Sequence, residues 1–355
     1  MVAAIVIYPE KTISYSRRAA STGKIPGIAG MRETRLHNHT STPTTRLPEP
    51  DARQVVVLVP TCNPGPAWQR FLQALQAQTL RSARCVVIDS ESTDGAVQAA
   101  QDAGLTVHSV ARATFNHGHT RQQALDLFAS QAEVVVFLTQ DAILASPDAL
   151  QTLVAAFDDA HVAAAYGRQL PHTDATPVAA HARLFNYPAS DHTRRWADVP
   201  AFGIKTCFLS NSFAAYRVSA LREVGGFPAD VILGEDMHLS ARLLKAGHAL
   251  AYRSQAAVYH SHNYSLWAEF GRYFDTGVFH AQHPWLTHDF GGAGREGARF
   301  VRSEMAYLLR HAPWRLPEAA CRTLLKALGY RLGRRHAALP QRVCSGLSMH
   351  KGYWA

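Results

Sequence analysis

A chain of 355 residues with 47% hydrophobic and 18% charged side chains has the make-up of a globular protein, in one large domain or two smaller ones. Its formal net charge of +9 is unevenly spread: residues 1–50 hold 7 Lys/Arg against 3 Asp/Glu, residues 291–355 hold 12 against 3, and residues 51–290 hold 17 against 21. No internal repeat is visible, which excludes repetitive architectures, and the basic excess outside a mildly acidic centre, with no recognition motif, argues against nucleic-acid binding.

Residues 1–52 are rich in Ser, Thr, Pro, Arg and His and read as a flexible basic leader that supplies no core. The opening run "VAAIVIY" has no basic residue ahead of it and is stopped by Pro9-Glu10, so it does not read as a signal peptide. No later segment is apolar enough to span a bilayer. Five cysteines, Cys62, Cys85, Cys207, Cys321 and Cys344, are odd in number and lack a CxxC pair, which argues against a disulfide framework and a zinc site. A cytoplasmic protein, soluble or peripherally membrane-bound, is the expectation.

From Val55 strands and helices alternate. The run "VVVLVP" predicts a strand, "PAWQRFLQALQAQ" a helix, "CVVID" a strand and "DGAVQAAQDAG" a helix closed by Gly104. A strand over "LTVHSV", a helix over "GHTRQQALDLFAS" and a strand over "EVVVFLT" follow. This rhythm implies right-handed βαβ crossovers, hence an α/β fold with a mostly parallel central sheet flanked by helices. Ligands of such sheets lie outside the carboxyl ends of the strands, and the polar insertions fall there. Thr61-Cys62-Asn63 follows the first strand, Asp89 to Ser92 the second, and Thr139-Gln140-Asp141 the fourth.

Asp94 is explained by helix capping, whereas Asp89, just past a buried run, needs donors that a nucleoside base or ribose supplies. In "FNHGHTRQQA" Gly118 permits close backbone approach and Arg121 falls in the first helical turn, a pattern suited to phosphate. In isolation, surface histidines and an Arg121 paired to a nearby acid are the simpler account, and alignment with the other strand ends favours the ligand reading. Further on, Gly225-Gly226-Phe227-Pro228 forms a tight turn, and Glu235-Asp236 opens a helix whose Leu239 and Leu243 face inward. Helix-end electrostatics accounts for the acidity but not for its conjunction with the turn and with "RLLKAG" downstream.

The ordered set "VVVLVPTCN", "VVIDSESTDG", "VFLTQDA", "VGGFP" and "GEDMHLSARLLKAG" resembles family 2 glycosyltransferases, inverting enzymes with the GT-A fold, over roughly residues 54–265. "FNHGHTRQQA", "FLTQDA", "FGGAGREGARFVRSEMAYLL" and "SMHKGYW" are similar, more narrowly, to bacterial dTDP-rhamnose-dependent rhamnosyltransferases. The resemblance implies a GT-A domain over 53–290, with residues 291–355 as a basic helical C-terminal extension. It further implies a divalent cation, Mg2+ or Mn2+, with Asp141 at the second carboxylate of an Asp-x-Asp motif whose first position is Thr139. His260 stands where relatives carry another metal or diphosphate ligand, with His262 an equal alternative. Asp236 is the implied base. Thr61, Asn63, Asp89 and Asp94 are expected at the nucleoside, Gly118 and Arg121 at nearby donor groups, and Thr139 and Gln140 at ribose or diphosphate.

Glu235 and Trp267 are expected on the acceptor side, with Phe270 in the core and Tyr264 open between the two. The donor is expected to be dTDP-L-rhamnose and the acceptor a growing cell-surface, lipid-linked glycan. Apolar helical faces flanked by Arg in the extension suit docking to the inner membrane. A UDP- or GDP-sugar donor, or a catalytically silent nucleotide-sugar-binding module, is the alternative. A nucleotidyltransferase is weakened by the lack of a Gly-rich basic loop after the first strand. With one carboxylate replaced by Thr139, the expected cation site is completed by the donor.

Overall fold

A computed structural model describes residues 54–354 except 131 and 293, so the expected leader lies outside the described residues. The first half follows the sequence pattern closely. Strand β1 (Val55–Thr61) is buried throughout, and its alternate residues feed two cores. Val56 and Leu58 join Ala124 and Leu125 on one face, while Val55, Val57 and Val59 join Trp68, Phe71 and Leu72 on the other. A strand covered on both faces reads as an unbroken apolar run, which is why alternation is absent. Helix α1 (Trp68–Gln76) buries Trp68, Phe71, Leu72 and Leu75, the i, i+3, i+4, i+7 stripe of an amphipathic helix.

Strand β2 (Arg84–Asp89), α2 (Ala96–Asp102), β3 (Thr106–Ser109), α3 (His117–Phe128) and β4 (Val134–Leu138) complete this half. Strands β3, β2, β1 and β4 are adjacent and parallel, with Thr61 beside Asp89 at the end of the β1–β2 ladder. A short β5 (Ile143–Leu144), α4 (Ala149–Val154), β6 (Val162–Leu170), α5 (Pro177–Asn186), β7 (His192–Arg194) and α6 (Val199–Phe202) lead to β8 (Phe213–Arg217) and α7 (Val218–Glu223). Then come α8 (Glu235–Lys245) and β9 (Ala249–Tyr259). The described strands make one sheet in the order β3-β2-β1-β4-β8-β6-β9-β5, with β7 also on β9. The expected α/β fold is present, and β8 enters antiparallel between β4 and β6, while β6 and β9 are parallel again.

This topology gathers distant segments. Antiparallel pairing of β5 with β9 turns the chain after β4 back beside Tyr259. Pairing of Leu170 with Tyr259 brings the end of β6 next to His260, whose amide donates to the Leu170 carbonyl at 2.9 Å. The ends of β4, β6 and β9 therefore meet.

Helices α9 (Leu266–Gln282), α10 (Pro284–Phe290), α11 (Gly294–His311), α12 (Leu316–Gly333) and α13 (Gln341–Leu347) form the C-terminal part. They are packed onto the sheet domain. α12 lies close along α9, where a Cβ on Gly333 would meet the Phe274 carbonyl oxygen at 1.9 Å. Arg322 and Lys326 of α12 both pair with Glu269 of α9, at 2.6 and 2.8 Å, so part of the basic charge of this region is neutralised internally. Phe270 is buried, as expected of a core residue. No described helix is long and apolar enough to cross a membrane, and all five cysteines are unpaired.

Candidate functional site

The strand ends of β1, β2 and β4 open into a cleft of about 770 Å³, within the range of small-molecule sites. Cys62, Ser90 and Gln140 form its floor, Arg112, Phe115, Asn116 and His119 one side, and Ala229, Asp230 and Ile232 another. Gln140 clamps the floor: its Oε1 accepts from the Cys62 amide at 2.7 Å and its Nε2 donates to the Cys62 carbonyl at 3.2 Å.

The residues expected at the nucleoside mostly build the loops that shape this floor. The Thr61 hydroxyl donates to the Val59 carbonyl of its own strand. Asn63, at φ 45°, receives the Thr93 amide on Oδ1 at 2.7 Å, and its own amide donates to Ser92 Oγ at 2.8 Å. Asp94 accepts from the amides of Gly65 and Ala96 at 2.9 and 3.2 Å. The N-cap position of α2 is Gly95, one residue later than the sequence suggested, because its φ of 84° suits glycine. Asp89 accepts the Ser92 amide at 2.9 Å. Its Oδ1 and the Ser90 hydroxyl are buried with no hydrogen-bond partner among the described residues. Buried polar atoms are rarely left so.

Asp141, His260 and His262 form a second cluster, their ligand atoms all within 4.8 Å of one another. His260 Nε2 lies 3.3 Å and His262 Nε2 3.6 Å from the Asp141 carboxylate, so the choice between the two histidines dissolves: both are present. Gln169 sets the tautomer. Its Nε2 donates to Ser210 Oγ at 3.0 Å, and its Oε1 accepts from Arg183 at 2.7 Å. The contact from His260 Nδ1 to that same Oε1, at 2.9 Å, is therefore an N–H donation that turns Nε2 toward Asp141. The Thr139 hydroxyl donates to Asp141 Oδ1 at 2.9 Å. Burial pushes the Asp141 carboxyl up, but the two imidazoles and the Thr139 hydroxyl outweigh it and hold it well below the usual carboxylate range. An ionised carboxylate with two imidazole nitrogens fits a divalent cation.

A third cluster lies behind the cleft. Gly234, in the left-handed region at φ 78°, turns the chain into α8, whose first residues are Glu235 and Asp236, both buried. Asp236 accepts from the amides of Met237 and Asn211 at 2.7 and 3.2 Å. Glu235 accepts from the Asn211 side-chain amide at 3.0 Å and lies 3.3 Å from Arg121. Tyr216 donates to Asn211 Oδ1 at 2.6 Å, so this side chain is held at both ends. Burial, then the Glu235 charge, push the Asp236 carboxyl up to about 7. The Asn211 segment joins the two clusters, since Thr139 donates its amide to the Ser212 carbonyl at 3.1 Å while Ser210 holds Gln169.

Arg121 departs from expectation: it is buried, donates to the His117 carbonyl at 3.0 Å and faces Glu235 instead of lining the cleft. The simpler account, pairing to an acid, holds for it. Close approach at Gly118 is also internal, because a Cβ there would meet the Pro228 carbonyl oxygen at 1.8 Å. Burial and the nearby Arg121 hold His117 down to about 3. The puzzling link between the glycine turn and "RLLKAG" is Arg242, which donates to the Val224 carbonyl at 2.6 Å and to that of Gly226. Trp267 is 59% exposed and stacks on Phe270. Tyr264 packs beside His262, 5.2 Å between ring centroids.

Sequence reading missed Gln169, Asn211 and Arg112. The first two are neutral residues outside any motif. Arg112, whose guanidinium donates to the Ser90 carbonyl at 3.4 Å, carried only its position after the third strand as a signal.

The chain matches the model of glycosyl transferase family 2 over residues 56–225. It is 48% identical over 302 residues to the O-antigen chain rhamnosyltransferase RfbN of Salmonella typhimurium, covering 85% of this chain and 96% of that one. It is likewise 48% identical over 299 residues to the O-antigen chain rhamnosyltransferase WbaN of Salmonella anatum, covering 84% and 95%. Among solved structures it is similar to the mannosyltransferase PcManGT from Pyrobaculum calidifontis, in complex with GDP-Man and Mn2+. That likeness has a TM-score of 0.51 and 23% identity and covers 87% of each chain. It supports the fold. On these grounds, together with the strand-end cleft, the chain belongs to glycosyl transferase family 2 and is a glycosyltransferase of the GT-A type.

Proposed function

We propose that the protein transfers L-rhamnose from dTDP-L-rhamnose, with inversion, to a hydroxyl of a growing, lipid-linked O-antigen chain. The observation that carries this reading is the 48% identity to O-antigen chain rhamnosyltransferases over almost their whole length. In it the cleft takes the nucleoside diphosphate, with Asp89 Oδ1 and Ser90 Oγ accepting or donating at the nucleoside end. Thr61, Asn63, Asp94 and Gln140 act through the loops they hold. Asp141, His260 and His262 would hold Mg2+ or Mn2+, which when bound neutralises charge growing on the departing diphosphate. One carboxylate and two neutral ligands bind weakly without the donor, so donor and cation bind together.

Asp236 removes the acceptor proton. A carboxyl titrating at about 7 is ionised in a useful fraction at neutral pH and is a stronger base than an ordinary aspartate. Attack from the face opposite the leaving diphosphate inverts the anomeric centre. Glu235 is a positioning residue that, with Asn211 and Arg121, fixes the Asp236 carboxyl. A silent binding module has no use for a carboxyl buried next to a second one against such a desolvation penalty, which disfavours that alternative.

On the surface, Leu309, Trp314, Leu324 and Leu328 are exposed, with Arg331 and Arg335 exposed nearby in sequence. We place these exposed apolar and basic side chains of the C-terminal helices against an anionic membrane surface, on the cytoplasmic side of the inner membrane. The test of the activity is a donor panel run with and without chelator. dTDP-L-rhamnose should be consumed faster than UDP- or GDP-sugars, and only with Mg2+ or Mn2+. Clear preference for a UDP-hexose would overturn the rhamnose assignment, and turnover in chelator would overturn the cation's role.

A further inference from the structure

After α13 the chain does not trail into solvent but returns to the strand ends. The amides of Met349 and His350 both donate to Asp275 Oδ2, at 2.9 and 3.1 Å, and Asp275 is fully buried on α9. Ser348 Oγ accepts the His350 amide at 2.9 Å. The segment lies directly on the α9 backbone, where a Cβ on Gly271 would come within 3.1 Å of the Met349 nitrogen. Tyr353 and Gln282 are bonded at 3.0 Å, and Trp354 packs against Phe274.

Taking a carboxylate out of water costs several kcal/mol unless donors offset it, so an apolar residue would serve a helix core better. The donors here include two backbone amides of the tail, which makes Asp275 an anchor for that segment. What the anchor presents is the far wall of the cleft. Met349, His350, Gly352 and Tyr353 line it together with the β1, β2 and β4 ends. The His350 ring meets the His117 ring edge-on at 5.3 Å, closing the tail against the first turn of α3 and its N-cap Asn116.

We propose that the C-terminal tail is part of the nucleotide-sugar site, with His350 a binding residue for the nucleoside diphosphate and Asp275 the positioning residue that seats it. The inference rests on the reading of the cleft as the donor site. It gives the extension a role in donor recognition beside any role in membrane docking. A chain lacking the tail would keep its sheet, its acid pair and its Asp141 cluster, yet bind donor poorly.

The test uses full-length protein and calorimetric binding of dTDP, with KM values for dTDP-L-rhamnose and for acceptor measured alongside. His350→Ala should weaken dTDP and raise the donor KM by roughly tenfold, the effect of losing one good hydrogen bond to a charged group. The acceptor KM and the melting temperature should stay unchanged. Asp275→Asn retains an oxygen for the two amides and should keep donor affinity within about threefold, whereas Asp275→Leu should lose as much as His350→Ala or more. Wild-type affinity for dTDP in His350→Ala overturns the tail's role and leaves the cleft assignment standing. Wild-type protein that binds none of dTDP, UDP and GDP overturns the cleft assignment itself and the tail's role with it.

Discussion

Asp141 and Asp236 stand on either side of one short segment, Ser210 to Ser212, yet their surroundings drive their protons in opposite directions. Asp141 sees two imidazoles and a hydroxyl donor and stays ionised. Asp236 sees burial and a second carboxylate, Glu235, and its carboxyl rises to about 7 despite two backbone donors and Arg121. Two carboxyls with separated pKa values in one site take separate tasks: a permanently charged one suits a cation, and a titrating one suits proton transfer. The fold achieves the separation with little chain, because β4 and β8 are antiparallel neighbours and each aspartate follows or contacts one of their ends.

The strongest way to break this comparison is Asp236→Asn. Transfer should fall by about 10²- to 10⁴-fold while dTDP binding is retained; a variant that still turns over at the wild-type rate removes Asp236 as base. Wild-type kcat should rise with pH and level above about 7, because the base must be ionised. Stability runs the other way. The folded-state pKa lies above the ordinary 3.8, so between about 4 and 7 the folded protein holds a proton that the unfolded chain has released. Stability is lost as pH rises through that window. With an amide in place of the carboxyl there is no charge to bury, and the Asp236→Asn variant should gain on wild type from pH 5 to pH 8 in chemical denaturation.

Next in size is Arg121→Met. Removing the cation leaves Glu235 buried beside Asp236 with only Asn211 as donor, at a cost of about 3–5 kcal/mol. The pH–rate profile should also move up, since Arg121 is one of the groups pulling the Asp236 carboxyl down. A double change, Arg121→Met with Glu235→Leu, should recover most of the stability but not the activity. If the single change costs under about 1 kcal/mol, the pair is not holding the acid site together.

Arg121 also shows where sequence reading stops. Strands β1, β2 and β4 were legible because their buried stretches read as continuous apolar runs, the half-exposed edge strand β3 only from its place in the strand–helix rhythm, and Asp141 and His260 were legible as candidates because they sit just past strand ends. Nothing local tells that the guanidinium of Arg121 meets a carboxylate 114 positions later, and a basic residue in the first turn of a helix near a cleft looks the same in either role. Gln169 and Asn211 were invisible for another reason: an uncharged amide has no signature until its partners are known, yet one fixes the His260 tautomer and the other ties Glu235 to Asp236. The tail's place in the cleft was hidden because it depends on how α9, α12 and α13 stack.

On the Asp141 side the corresponding change is Gln169→Leu. It frees the His260 ring to rotate or change tautomer without touching a ligand atom, and Mn2+ affinity in the presence of dTDP should fall about 10- to 100-fold, with the Asp236 limb of the pH profile unmoved. Unchanged Mn2+ affinity would mean that His260 is not a ligand.

The smallest effect, and the finest test, is at Thr139. Its hydroxyl donates to Asp141 Oδ1 at 2.9 Å, a role that a carboxylate at this position cannot fill once ionised. Thr139→Val removes one bond to a charged acceptor, so the Asp141 pKa should rise and Mn2+ affinity should drop severalfold, with the fold intact. Thr139→Asp restores a second carboxylate, but sets it within hydrogen-bond reach of Asp141 and gives up the donor. Two like charges at that separation disfavour each other's ionisation unless a cation lies between them. The Thr139→Asp variant should therefore bind Mn2+ more tightly than wild type in the absence of donor and lose stability when Mn2+ is withdrawn. Should Mn2+ affinity without donor stay unchanged in both variants, Thr139 has no part in holding the cation, and the charge state of Asp141 is set by the histidines alone.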